Sequence, residues 1–223
     1  MSRLTYSLAF ILLIASQPLC AGSFVVRSTA DAGVHSLRWA ILQANASAGP
    51  DVITFDLPGE GPHVISPTSP LPPLTDPAGV IIDGLSQNDA RITSKPVMAL
   101  QLRIMLDGRQ AGDAPGIWIL SSSNRIQGLI ISGFSEDGIR IQGTRQGTVK
   151  NLVRHCIIGL AADGTTPMPN GTGKRTSHWA GIAIVSLQHS PGIAYENLLF
   201  GNIVSGNNGD GILLADCMGG RVY

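Results

Sequence analysis

Charge is scarce in this chain. Only 13% of its residues are Asp, Glu, Lys or Arg, and the two signs cancel to a formal net charge of zero. With no basic surplus there is no electrostatic footprint for nucleic acid or anionic lipid. Aromatic residues make up only 5%, so the core has to be aliphatic. Long helical patterns are missing, which argues against a helical bundle or a βαβ sheet. Low hydrophobicity is missing as well: 43% of the residues are hydrophobic, which excludes a disordered chain. No apolar run reaches the roughly 20 residues needed to span a bilayer as a helix. What is abundant is glycine, 27 residues, with 14 prolines. Many tight turns around a long aliphatic core fit that composition.

The first residues read as a secretory leader. Arg3 supplies a positive start, Leu8 to Ala15 form a short apolar core, and Gln17-Pro18 break it before Leu19-Cys20-Ala21. Cleavage is expected after Ala21, giving a signal peptide over 1–21 and an exported mature chain that is secreted, periplasmic or on the outer surface. A lipoprotein with Cys20 acylated is the alternative. Cys156 and Cys217 remain after cleavage, and an oxidising compartment invites a disulfide between them.

The strongest signal in the mature chain is an internal repeat. Gly128-Leu-Ile-Ile-Ser-Gly-Phe-Ser-Glu-Asp-Gly-Ile139 aligns without a gap to Gly201-Asn-Ile-Val-Ser-Gly-Asn-Asn-Gly-Asp-Gly-Ile212. Upstream, Asn124 falls on Asn197, and Asn151 to Gly159 form a third copy that puts Ile157 on Ile130 and Ile203. A second mark is Gly followed by alternating aliphatics, at Gly116-Ile-Trp-Ile119, Gly138-Ile-Arg-Ile141, Gly181-Ile-Ala-Ile184 and Gly211-Ile-Leu-Leu214. The first spacing, 22 residues, is one bare turn, and the later ones carry insertions, roughly Ala161 to Ala180 and Leu187 to Glu196.

These runs are too short for helices, and glycines bound them as φ > 0 turns. One unit cannot bury its own aliphatic face, but units stacked about 4.8 Å apart bury a continuous column. Ile117/Ile119, Ile139/Ile141, Ile182/Ile184 and Ile212/Leu214 should face inward, and Trp118, Arg140, Ala183 and Leu213 outward. The fold expected is all-β, a right-handed parallel β-helix over 58–223. Cys156 and Cys217 then fall on different turns, which favours two separate buried thiols over a disulfide.

Ser36 to Asn45 is the one convincing helix, with Leu37, Ala40, Ile41 and Ala44 on one stripe, Ser36 as N-cap and Asn45 with Gly49-Pro50 as its end. Asp51 to Phe55 reads as a strand. Residues 22–57 are therefore taken as a segment capping one end of the stack, which would otherwise present bare backbone. Pro58 to Pro77 reads as loop. Val80-Ile-Ile-Asp-Gly84 and Ile104-Met-Leu-Asp-Gly108 read as further turns. The chain stops soon after a strand at Tyr223, so no C-terminal cap is expected and association through an open end is anticipated.

The segment carrying Ser36, Leu37, Arg38, Ala40, Ile41, Ala44, Asn45, Gly49, Asp51, Ile53 and Phe55 resembles the CSLREA-type N-terminal segment of bacterial surface and secreted β-helix proteins, within a pectate-lyase-like superfamily. The family's leading Cys is His35 here, and its Glu is Trp39, so half of a capping box is lost. Ile158 to Asn170 is similar to an Ile-Gly-Thr-Asp loop common in such repeats. The resemblance implies the architecture. It leaves activity open, since members range from adhesion-like surface proteins to polysaccharide-degrading enzymes.

Candidate chemistry is thin. A lyase of this fold would gather carboxylates around Ca²⁺ and use a basic residue as the proton acceptor, and calcium is implied only under that alternative. Asp83, Asp107, Asp137, Asp163 and Asp210 all precede Gly, the mark of residues bonding their own turn backbone. Asp137 and Asp210 are kept as metal candidates, because turn aspartates on stacked units could form an acidic ladder. Hydrolysis needs two carboxyls at a set separation, and the adjacent Glu136 and Asp137 should diverge. Trp118 and Arg140 occupy the same outward position on successive turns and are the candidate ligand-binding pair, as a cation–π stack or a sugar platform. The rival reading covers that face with the 161–180 insertion. His155, His178 and His189 lack metal spacing. Asn45-Ala-Ser and Asn170-Gly-Thr match glycosylation sequons. Three functions follow: a non-enzymatic module contacting extracellular glycans or a surface protein, a polysaccharide lyase or glycoside hydrolase, or a structural piece of a longer surface passenger.

Overall fold

The computed structural model describes residues 21–93, 99–174, 179–186, 194–215 and 221–222. The leader up to Cys20, His178, His189 and Cys217 lie outside the described residues. In chain order the elements begin with β1 (Ser23–Val26), α1 (Leu37–Ala46), β2 (Asp51–Phe55), β3 (His63–Ile65) and β4 (Val80–Asp83). A small antiparallel pair follows, β5 (Arg91–Thr93) and β6 (Ala99–Gln101). Then come β7 (Ile104–Asp107), β8 (Ile117–Ile119), β9 (Arg125–Gln127), β10 (Leu129–Ser132), β11 (Ile139–Gln142) and β12 (Leu152–Arg154). The series closes with β13 (Ile157–Ile158), β14 (Ala180–Val185), β15 (Leu198–Phe200), β16 (Ile203–Val204), β17 (Asp210–Ala215) and β18 (Arg221–Val222).

The protein is mostly β, and its three main sheets are parallel throughout. The first has the order β1-β2-β4-β9-β12-β15-β18, the second β3-β7-β10-β13-β16 and the third β8-β11-β14-β17. From β7 onward the chain visits the second, third and first sheets in strict rotation. The anticipated registers are present. Ile117, Ile139, Ile182 and Ile212 are successive partners, as are Ile119, Ile141, Ile184 and Leu214. Ile130 pairs with Ile157, and Ile157 with Ile203.

Alternation decides which face each side chain takes. Ile82, Ile126, Val153 and Leu199 of the first sheet, Leu106, Ile131 and Ile158 of the second, and Ile119, Ile141 and Ile184 of the third are buried in one core. The Ile130–Ile157 column is on the other face of its sheet. It packs in a separate cluster with Leu102, Met105 and Leu160, flanked by Leu100 of β6 and by Met168. The second sheet is thus covered on both faces, as parallel sheets generally are.

The glycines of the third sheet act differently from the turn-formers expected. Gly128, Gly133, Gly201 and Gly206 do adopt positive φ. Gly116, Gly138 and Gly181 do not: a Cβ at each would sit 2.5, 2.7 and 2.8 Å from the carbonyl oxygen of Gly138, Gly181 and Gly211, respectively, on the next strand. Close stacking is what demands glycine there.

The helix is as expected at its start and one residue longer at its end. Ser36 Oγ accepts from the Trp39 N–H, Leu37, Ala40, Ile41 and Ala44 are buried, and Ser47 is the C-cap. These side chains join the main core beside β1 and β2. Where the resemblance loses its Glu, Trp39 packs edge-on to Phe24 and His35. Pro58 to Pro77 departs from the loop expected. It contains β3, parallel to β7, and Leu74 bridges in parallel to Ile119. The helix pins this stretch: Arg38 donates to the Ser69 and Pro70 carbonyls, and the Asn45 side chain spans the Pro73 carbonyl and the Thr75 N–H. Among the described residues no helix is long and apolar enough to cross a membrane.

Candidate functional site

Trp118 and Arg140 are direct register partners on β8 and β11. The strand alternation that buries Ile117, Ile119, Ile139 and Ile141 turns both of them to the opposite face, where each is half-buried. The cation–π contact runs elsewhere than expected. The Arg140 guanidinium carbon lies 5.0 Å from the ring centroid of Trp179, not over Trp118. Trp179 closes the 161–180 insertion, a stretch without periodicity, so the sequence held no signal for this partner.

Glu136 and Asp137 converge rather than diverge. Arg140 Nε donates to Asp137 Oδ2 at 2.7 Å, and Nη1 lies 2.9 Å from Glu136 Oε2. Both carboxylates precede β11 and meet the guanidinium of its second residue. Only 14% of the Arg140 and Glu136 side chains and 2% of Asp137 is exposed. Burial pushes the Asp137 carboxyl above its ordinary value, against the opposing pull of the Arg140 charge and of the Ala180 N–H.

Asp137 also departs from the turn pattern of its neighbours. Asp83, Asp107 and Asp163 accept from N–H groups two residues on, at Leu85, Arg109 and Thr165. Asp137 Oδ1 accepts instead from the Ala180 N–H at 2.7 Å, on the next strand of the sheet. Both of its oxygens are therefore engaged. Asp210 pairs in register with Ala180, so it sits two strand spacings from Asp137, about 9–10 Å, and it is exposed. Asp137 also has neither oxygen free of a protein partner for a shared cation. Among the described residues no three His, Cys, Asp or Glu side chains gather as metal ligands would.

Trp118, Glu136 and Arg140 line one cavity of about 410 Å³, with Leu71, Asp113 and Gln142. Of the described residues of the 161–180 insertion, Trp179 lies against Arg140, one wall of this cavity. Earlier in the insertion, Gly171 N–H donates to the Phe134 and Glu136 carbonyls and Gly173 N–H to the Ser135 carbonyl. A second cavity, of about 380 Å³, opens there between Arg109, Asp113, Gly133, Ser135, Met168 and Thr172. Asp113 lines both. No sequence pattern marked Asp113 or Gln142, since one is in a turn and the other at a strand end.

The remaining candidates resolve into structural roles. Cys156 is fully buried, and burial pushes its thiol up to about 12. The His155 ring packs edge-on to Phe200, and burial lowers its pKa. The Asn170 sequon is not accessible: the side chain is buried and bonds the Phe134 N–H and the Ile131 carbonyl. No protein-family model matches the chain, and no curated protein matches it.

Proposed function

We propose that this is an exported right-handed parallel β-helix, of the pectin-lyase-like kind, that contacts glycans through the Trp118 cavity without cleaving them. The solenoid reading is supported by the rotation of consecutive strands through three parallel sheets with unbroken register. Export is supported by the leader sequence ending near Ala21. The observation that carries the functional reading is the cavity itself: an aromatic side chain beside a fixed carboxylate–guanidinium pair, with Gln142 and Asp113 at the wall. An indole face packs against the apolar C–H face of a pyranose, while the polar groups bond its hydroxyls.

Arg140 is a positioning residue in this reading. Its charge is already matched by Glu136 and Asp137, so it offers little attraction to an acidic sugar. Neutral or amino sugars are expected to bind more tightly than uronates. Two rivals remain. A hydrolase is favoured by one observation, that Asp113 and Glu136 share the cavity as a carboxyl pair. A lyase using Arg140 as its base would have to free it from two carboxylates and remove a proton from its guanidinium before it could accept one from the sugar.

The test is affinity electrophoresis of the mature chain in gels containing neutral, amino and acidic polysaccharides, with reducing ends and unsaturated products measured in parallel. Retardation by a neutral or amino polymer, lost at least tenfold in Trp118→Ala with unchanged circular dichroism, supports the binding reading. Release of reducing ends that stops in Glu136→Gln would replace it with hydrolysis. Binding that ignores the Trp118 substitution would move the site elsewhere.

A further inference from the structure

Resting on the glycan-contact reading, we infer that the site is a two-part groove for a linear oligosaccharide, crossing the turn between the second and third sheets at Asp113. The two cavities are not separate features. Asp113 lines both, and the neighbours Ser135 and Glu136 line one each. The wall they share comes from two stacked turns, the one ahead of β8 and the one ahead of β11.

The ridge between the cavities is held rigidly. Ser135 Oγ donates to the Gly112 carbonyl at 2.8 Å and accepts from the Ala114 N–H at 3.0 Å. The Glu136 N–H donates to the Ala114 carbonyl at 3.3 Å, and Gly173 N–H reaches the Ser135 carbonyl at 2.7 Å from the far side. A preformed ridge of this kind loses little freedom when a ligand lies across it. Asp113 is exposed on its crest and makes no hydrogen bond or ion pair with another described residue. A carboxylate in that position can accept from the hydroxyls of a chain passing over it.

The two halves differ in character. The first offers Trp118 and the Glu136–Arg140 pair. The second offers the apolar Met168 with Thr172, and Arg109 at its rim is bound to Asp107. One sugar unit at Trp118 and another at Met168, joined over Asp113, fill what a monosaccharide leaves half empty. The insertion at 161–180 thereby acquires a role: it supplies the second half through Met168 and Thr172.

The experiment is isothermal titration calorimetry of the mature chain with β-1,4-linked oligomers of glucose and glucosamine and α-1,4-linked oligomers of galacturonic acid, one to six units each. Affinity in the bound series is expected to rise at least tenfold between one unit and three or four, then level off. Thr172→Trp, which fills the second cavity from an exposed position, should remove that gain. Trp118→Ala should lower affinity at every length. Equal affinity for all lengths, or a length gain that survives Thr172→Trp, would overturn the two-part groove while leaving the Trp118 cavity standing. Binding of no series by folded protein would remove the glycan reading, and the groove with it.

Discussion

Arg140 takes part in three interactions at once, with Glu136, Asp137 and the Trp179 ring. Its outward position was legible, because the residues on either side of it are buried isoleucines. Its partners were not, because two arrive from the preceding turn and one from the end of an insertion. Asp163 shows the opposite case, in which a local motif is enough. It accepts from the Thr166 hydroxyl and from the N–H groups of Thr166 and Thr165, and these bonds hold its pKa down at about 2, from an ordinary 3.8. A lowered folded pKa means that the folded loop favours the ionised form. Its contribution is present above the unfolded value and is lost as pH falls through about 2. The Thr165 and Thr166 amide shifts, followed by NMR, should therefore titrate with a midpoint near 2. A midpoint at the ordinary carboxylate value would show that the loop bonds are not formed in solution.

At the scale of elements, the first sheet is bordered by a column of polar side chains. Asn124 Oδ1 accepts from the Val80 N–H, Asn151 Oδ1 from the Asn124 N–H, and Asn197 Oδ1 from the Asn151 N–H, at 2.8–3.0 Å. Asp51 takes the same place lower in the column and accepts from the Gly22 N–H. The sequence aligned Asn124 with Asn197. The repeat does not reach Asp51, which differs in residue type and lies outside it. The Val80, Asn124 and Asn151 N–H groups each rely on the side chain of the rung above, whereas the Asp51 N–H donates to the Gly79 carbonyl. Asn151→Ala strips the acceptor from the buried Asn124 N–H, while the Asn124 side-chain amide keeps its bonds to Ser121. At about 1–3 kcal/mol for a buried group left unsatisfied, the unfolding free energy should fall by roughly that amount. Urea titration measures it, and an unchanged midpoint would show that water replaces the ladder. The strand hardest to read was β3, hidden between Pro62 and Pro67. Proline density signals a loop, yet an edge strand of three residues tolerates prolines just beyond its ends.

Across the whole molecule, the inward columns of the third sheet are buried from β8 to β14 and exposed only at β17. Ile139 and Ile141 are fully buried, whereas their partners at the far end, Ile212 and Leu214, are 36% and 45% exposed. The same substitution should therefore cost different amounts at different rungs. Ile139→Ala is expected to lower stability by about 2–5 kcal/mol, with Ile212→Ala costing about half as much or less. Chemical denaturation of the two variants checks this, and equal losses would mean that the end strand is covered in solution. The sequence alone determined the parallel strands, their register and the helix with its Ser36 cap. Those features follow from short-range periods and from residues that only one backbone setting accepts. Only the tertiary structure decided that Arg140 stacks on Trp179, that Glu136 and Asp137 converge, and that Asp113 joins two cavities. Each of these depends on where an aperiodic loop returns to the stack. That return is governed by packing and hydrogen bonds between residues far apart in the chain, such as Asp137 with Ala180, and no local pattern encodes it.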